Sequence, residues 1–134
     1  MKQITVVVKN EPGVVADITA ALAEKDINIS GLNAIGAANV IIMTVDKYDL
    51  ALTVLRDKGF EAVSEDAQVI RLEDAPGALA KIALRFKDAQ VNIRSMRIIR
   101  RYDGFCLAAI VCDQAEEAKR LLSDILVSIP DDQE

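Results

Sequence analysis

At 134 residues with 51% apolar side chains, the chain has enough material for one ordinary core or two small ones. A net charge of −5 argues against broad binding to nucleic acid, which needs a basic face. The absence of histidine excludes Ser-His-Asp and Cys-His nucleophile pairs, histidine acid–base catalysis and histidine metal ligands. Aromatic residues are only 4%, so the core must be built from Val, Ile, Leu and Ala. No apolar run approaches membrane-spanning length, and Met1-Lys2-Gln3 leads into a strand-like run and not a signal peptide. A cytoplasmic protein with no membrane partner is expected.

Ile4 to Val8 is rich in β-branched residues and reads as a strand, with Ile4, Val6 and Val8 on one face. Val14, Val15, Ile18 and Leu22 recur at helical spacing, which predicts a helix from about Gly13 to Lys25. Ile27-Asn28-Ile29 opens a second strand that reaches about Ala34, and Gly36 to Asn39 is a turn. Val40 to Val45 is an unbroken apolar run, as in a strand buried on both faces. Asp46-Lys47-Tyr48-Asp49 looks like a helix start with an acidic first turn. The helix runs from Tyr48 to Lys58 with Ala51, Leu52 and Leu55 inward, and Gly59 stops it. Phe60 to Ser64 is a short fourth strand.

The pattern then begins again. Val69 to Leu72 is a strand, Leu79, Ile82 and Phe86 form a helical stripe, and Val91-Asn92-Ile93 opens the next strand. A shift of 64 residues carries Pro12 to Pro76, Gly13 to Gly77, Ala16 to Ala80, Ile18 to Ile82, Asn28 to Asn92 and Ile29 to Ile93. The second copy has about three more residues in its hairpin, Arg100 to Gly104, by comparison of the two runs. Cys106 to Cys112 matches the buried third strand, and Gln114 to Asp124 reads as the last helix. No glycine separates that helix from Ile125-Leu126-Val127, so a final strand is left open; Pro130 to Glu134 is a polar tail. The predicted fold is α+β: two tandem ferredoxin-like βαββαβ modules, residues 1–65 and 66–134. Each is a four-stranded antiparallel sheet, order 4-1-3-2, with two helices on one face. The third strands are apolar on both faces, so the sister module or another chain must cover the open face; a homodimer is expected.

Each repeat places a Pro-Gly pair between its first strand and first helix. Proline pushes the residue before it out of the helical region, and glycine lets the chain bend and leaves its N–H uncovered. The free N–H groups of the first helical turn then favour a negative group. Each loop can therefore hold a small carboxylate; the plain alternative is a strand-to-helix turn and no more.

Asn10-Glu11-Pro12-Gly13-Val14 followed by Ile27-Asn28-Ile29, and Asp74-Ala75-Pro76-Gly77-Ala78-Leu79 followed by Val91-Asn92-Ile93, resemble the ACT domain family of amino-acid-sensing modules. The resemblance spans nearly the whole chain, as two tandem modules with no catalytic domain. It implies that a free amino acid binds at a seam between modules, against the first loop of one and the second strand of its neighbour. The implied ligand-binding residues are Asn10, Glu11, Pro12, Gly13, Val14 and Val15 with Asn28 and Ile29. In the second copy they are Asp74, Pro76, Gly77, Ala78 and Leu79 with Asn92 and Ile93. By pseudo-symmetry the Asn10 loop faces Asn92, and the Asp74 loop faces Asn28. Asp74 stands where the first copy has Asn10; its carboxylate repels a ligand carboxylate but can pair with a ligand ammonium, which puts equal use of the two sites in doubt. Taken singly, each asparagine can equally be a strand-start residue satisfied by backbone.

Other constellations carry less. Gly31 to Ala37 has the glycine spacing of a phosphate loop, but Ala37 stands where the lysine must be. Cys106 and Cys112 share a strand face about 20 Å apart, too far for a disulfide within that strand, and read as core cysteines. No metal site or cofactor is expected. Arg94, Arg97, Arg100 and Arg101 form a basic strip, read as a solvated hairpin or as a site for an acidic partner or ligand. Nothing assembles a nucleophile, a base and an oxyanion hole, so the expected protein is regulatory and not an enzyme. The alternative is a regulatory or structural subunit of an amino-acid metabolic enzyme, with degenerate ligand sites.

Overall fold

The computed structural model describes residues 2–9 and 11–129. The chain divides into two compact units, one holding the residues up to Glu65 with the stretch from Ser128, the other Asp66–Val127. The expected polar tail, 130–134, lies outside the described residues.

In the first unit the order is β1 (Lys2–Val7), α1 (Val14–Ala23), β2 (Ile29–Ile35), β3 (Val40–Val45), α2 (Tyr48–Asp57) and β4 (Glu61–Val63). A 3-10 turn, Gly36–Ala38, makes the β2–β3 connection. The sheet is antiparallel with order β2-β3-β1-β4, the arrangement expected from the sequence. Ile4, Val6 and Val8, Ile41, Met43 and Val45 meet Ile18 and Leu22 of α1 and Ala51, Leu52 and Leu55 of α2 in one buried cluster. The period-two alternation of β1 and the helical stripe of α1 are thus the two sides of one core. On β3 the in-between residues Val40 and Ile42 are also buried, as the unbroken apolar run predicts.

In the second unit β5 (Gln68–Glu73), α3 (Ala78–Asp88), β6 (Ile93–Tyr102), β7 (Phe105–Cys112) and α4 (Ala115–Leu121) follow. Ile70, Leu72, Ile82, Phe86, Cys106, Ala108, Ile110, Ala118 and Leu122 form its buried cluster. Both cysteines are free; Cys106 is buried and the half-buried Cys112 packs against the same cluster. Here the expectation of four strands needs correction: the sheet has three, β5-β7-β6. The segment after α4 makes one bridge, Ile70 to Leu126, with Arg71 N–H donating to Ile125 C=O and Val127 N–H to Val69 C=O. Without a glycine stop, α4 runs into a turn around Ser123 and Asp124, and only three half-buried residues are left to pair.

That turn is held by a fork. Arg85 on α3 donates from Nη1 and Nη2 to the two carboxylate oxygens of Asp124 at 2.7 and 3.0 Å, and from Nη1 to Leu121 C=O at 3.0 Å. The Arg85 bonds hold the Asp124 carboxyl below its ordinary 3.8. A carboxyl depressed in the folded state stabilises above its unfolded pKa, and the benefit is lost as pH falls through the folded value. The melting temperature of the second unit is therefore expected to drop below about pH 4. Arg85→Ala should make that drop shallower while lowering stability at pH 7 by about 1 kcal/mol or less, since the pair is partly exposed. Melting curves from pH 7 to pH 2 check both; unchanged acid sensitivity in Arg85→Ala would show that the fork contributes nothing.

Candidate functional site

Both Pro-Gly loops are strand-to-helix turns built on a left-handed glycine. Gly13 (φ +93°) and Gly77 (φ +83°) sit at the starts of α1 and α3, in a backbone conformation that side chains other than glycine rarely tolerate. Each loop closes on itself: Val14 N–H donates to Glu11 C=O, and Ala78 N–H to Ala75 C=O, both at 3.2 Å. The N–H groups of Val15, Ala16, Leu79 and Ala80 find no acceptor among the described residues. Glu11, Pro12, Gly13 and Val15 are exposed, as are Asp74, Pro76 and Gly77. Unused helix-start donors on an exposed turn are the chemistry of a small anion site. Val14 and Leu79 are half-buried and pack onto their unit's core, as do Ile29 and Ile93 at the strand starts. These four, with the half-buried Ala78, can offer a ligand mainly backbone. Asn10 lies outside the described residues.

Within one unit the loop and the strand-start asparagine are far apart. β1 and β2 are both antiparallel to β3; Lys2 and Ile29 lie opposite Val45, while Val7 and Ile35 lie opposite Val40. Asn28 is thus a full strand length, about 20 Å, from the end of the sheet that carries Pro12. The same holds for Asn92, since Ile93 lies opposite Cys112 and Tyr102 opposite Phe105.

The two asparagines have different surroundings. Asn28 donates to Asp46 twice, from its backbone N–H to Oδ1 at 3.0 Å and from Nδ2 to Oδ2 at 3.2 Å. Asp46 N–H returns a bond to Asn28 C=O at 3.2 Å, and Lys47 N–H adds 2.7 Å to Oδ1. Desolvation works to raise the Asp46 pKa, but the bonds from Asn28 and Lys47 outweigh it and hold the carboxyl below its ordinary 3.8. In the second unit Asp113 N–H likewise donates to Asn92 C=O, at 3.3 Å. The Asp113 carboxylate, however, takes Nε of Arg94. The Asn92 side chain has no hydrogen bond among the described residues.

The loops differ as well. β5 pairs with β7 as far as Glu73 opposite Phe105, whereas the corresponding ladder of β1 ends at Val7. The longer hairpin therefore reaches the second loop. Asp74 N–H donates to Gly104 C=O at 2.9 Å, and Arg101 Nε donates to Asp74 Oδ1 at 3.3 Å. Two members of the basic strip, Arg94 and Arg101, are thus ion-paired within the second unit. Sequence reasoning missed all of these partners. The extra hairpin residues were visible, but no pattern tells that Arg101 turns to Asp74, or that Asp46 serves Asn28 besides preceding α2.

Among the described residues no cluster of side chains suits a metal ion, and no helix is long and apolar enough to cross a membrane. The chain is similar to a protein of known structure from Bacteroides thetaiotaomicron, with 26% identity, TM-score 0.47, and 93% of this chain and 90% of that one covered. It is also similar to the ligand-free regulatory subunit of aspartate kinase from Thermus thermophilus, with 23% identity, TM-score 0.41, and 91% and 88% covered. The corresponding subunit from Thermus flavus gives 22% identity, TM-score 0.40, and 91% and 90% covered. No curated protein matches the chain in sequence. The ACT domain family model matches residues 2–49, the stretch that holds the first Pro-Gly loop and Asn28. The first unit is thus similar to an ACT domain over most of its length.

Proposed function

We propose that the protein is a non-catalytic regulator that binds a free amino acid where two ACT-like modules meet, the second unit being the second such module. The observation that carries this reading is the exposed Pro-Gly loop with unused Val15 and Ala16 N–H groups, inside the residues that match the ACT domain. The ligand carboxylate sits on those donors. Asn10 accepts from the ammonium or donates to the carboxylate, and Asn92 supplies a second amide. The Asp74 loop is weak or empty, because Arg101 and Gly104 already engage Asp74. Asn28, taken by Asp46, fits the same asymmetry and also favours the second reading, a regulatory subunit of an amino-acid metabolic enzyme in which some sites are degenerate. A co-purifying enzyme would support that alternative.

The test is a thermal-shift screen of the twenty amino acids. One of them is expected to stabilise the protein by about 2.7 kcal/mol at 100 times its dissociation constant. Asn10→Ala should weaken that ligand by about two- to tenfold, and Asp74→Ala should leave it nearly unchanged. A flat response to all twenty at millimolar concentration ends the sensor reading. A homodimer belongs to the same proposal. The apolar residues that motivated it, Val40, Ile42 and Leu107 among them, are buried. Sedimentation at high concentration decides it, and a pure monomer removes it.

A further inference from the structure

We propose that Arg94 is a positioning residue, which keeps the Asn92 amide free for the ligand by occupying the carboxylate that would otherwise capture it. The inference rests on the amino-acid reading above and names what sets the affinity of that site. The two units offer an internal comparison. Ile29 lies opposite Val45 and Ile93 opposite Cys112, and each pairing is followed by a register shift, to Gly31 and to Ser95. Asn28, Ser30 and Asp46 therefore correspond to Asn92, Arg94 and Asp113. The backbone bond is the same in both: Asp46 N–H to Asn28 C=O, and Asp113 N–H to Asn92 C=O. Each aspartate thus stands beside its asparagine, poised to accept from Nδ2.

In the first unit it does so. Ser30 cannot compete, because its hydroxyl donates to Thr44 Oγ1 at 2.9 Å. The Asn28 amide is spent on Asp46, at 3.2 Å. In the second unit the residue at the Ser30 position is Arg94, and Val111 replaces Thr44. A guanidinium–carboxylate bond is charge-assisted and stronger than a neutral amide donor to the same oxygen. Arg94 wins Asp113, and Asn92 keeps an exposed side chain without a partner among the described residues. One substitution at a strand bulge thus decides which asparagine a ligand can use.

The experiment restores the first unit's residue with Arg94→Ser. Asp113 is then expected to capture Asn92 Nδ2, and the best amino acid of the screen should bind about two- to tenfold more weakly by calorimetry. Arg94→Lys, which keeps the ion pair, should bind near the wild-type level. Arg94→Ser/Asp113→Ala, which removes the captor, should regain the lost affinity. If Arg94 touched the ligand itself, the double variant would stay weak, and that result would overturn the proposal. Equal binding by wild type and Arg94→Ser would overturn it too. A wild type that binds no amino acid sinks the sensor reading instead. In that case solvent exchange of the Asn92 side-chain amide, read by NMR without ligand, still tests the switch. Exchange should be fast in wild type and slowed in Arg94→Ser, and equal rates in the two would refute it.

Discussion

Phe86→Ala is expected to destabilise the second unit by about 3–5 kcal/mol. Phe86 is 1% exposed and packs with Ile70, Leu72, Ile82 and Ile110 in the cluster beneath α3. Truncating this large buried side chain leaves a cavity that its neighbours relax into only in part. Marginal stability amounts to roughly 0.05–0.15 kcal/mol per residue, so a unit of about 60 residues holds only some 3–9 kcal/mol in all. The loss is of the same order as the whole. Hydrogen exchange should show β5 and β7 amides losing protection while β1 and β3 amides retain most of theirs. A loss under about 1 kcal/mol would mean that the cluster is not packed in solution.

Much of this fold could be read from the chain because its signals were local and repeated. Ile4, Val6 and Val8 alternate, Val14, Ile18 and Leu22 recur at helical spacing, and the 64-residue shift aligned the Pro-Gly loops and the strand-start asparagines. β3, Val40–Val45, has the predicted ends, since polar residues bound its apolar run. The missing strand after α4 is the instructive failure. Ile125 to Val127 has the apolar character of a strand, but pairing is a long-range event that three residues without a turn signal do not secure. Only the hydrogen bonds to Val69 and Arg71 record the attempt.

The candidate site was legible at the level of backbone and not of side-chain partners. The Pro-Gly pairs foretold left-handed glycines at the starts of α1 and α3, because that geometry needs those residue types. Which carboxylate Asn28 or Arg101 meets depends on register across strands 18 and 27 residues away in sequence. A three-residue hairpin extension moved Gly104 and Arg101 beside Asp74. Composition alone could not foretell that Arg101 of the basic strip would pair with Asp74.

Ile42→Asp is expected to be the most damaging single change in the first unit, at several kcal/mol at pH 7. Ile41 and Ile42 are neighbours on β3 and point to opposite faces. Ile41 belongs to the helix-side cluster and Ile42 does not, yet they are 1% and 3% exposed. Across the sheet Ile42 lies between Thr5 and Asn33, neither of them a cation. A carboxylate placed there is desolvated, and its folded pKa rises. The sign follows: the charge penalty is absent below the unfolded value near ~3.9 and grows as pH increases above it. Ile42→Asn supplies the neutral control of similar size. The stability gap between the two variants should be large at pH 7 and close toward pH 4, measured by urea denaturation at each pH. If the aspartate and asparagine variants are equally stable at pH 7, that face of β3 is wet, and the two-faced burial read from its apolar run is wrong.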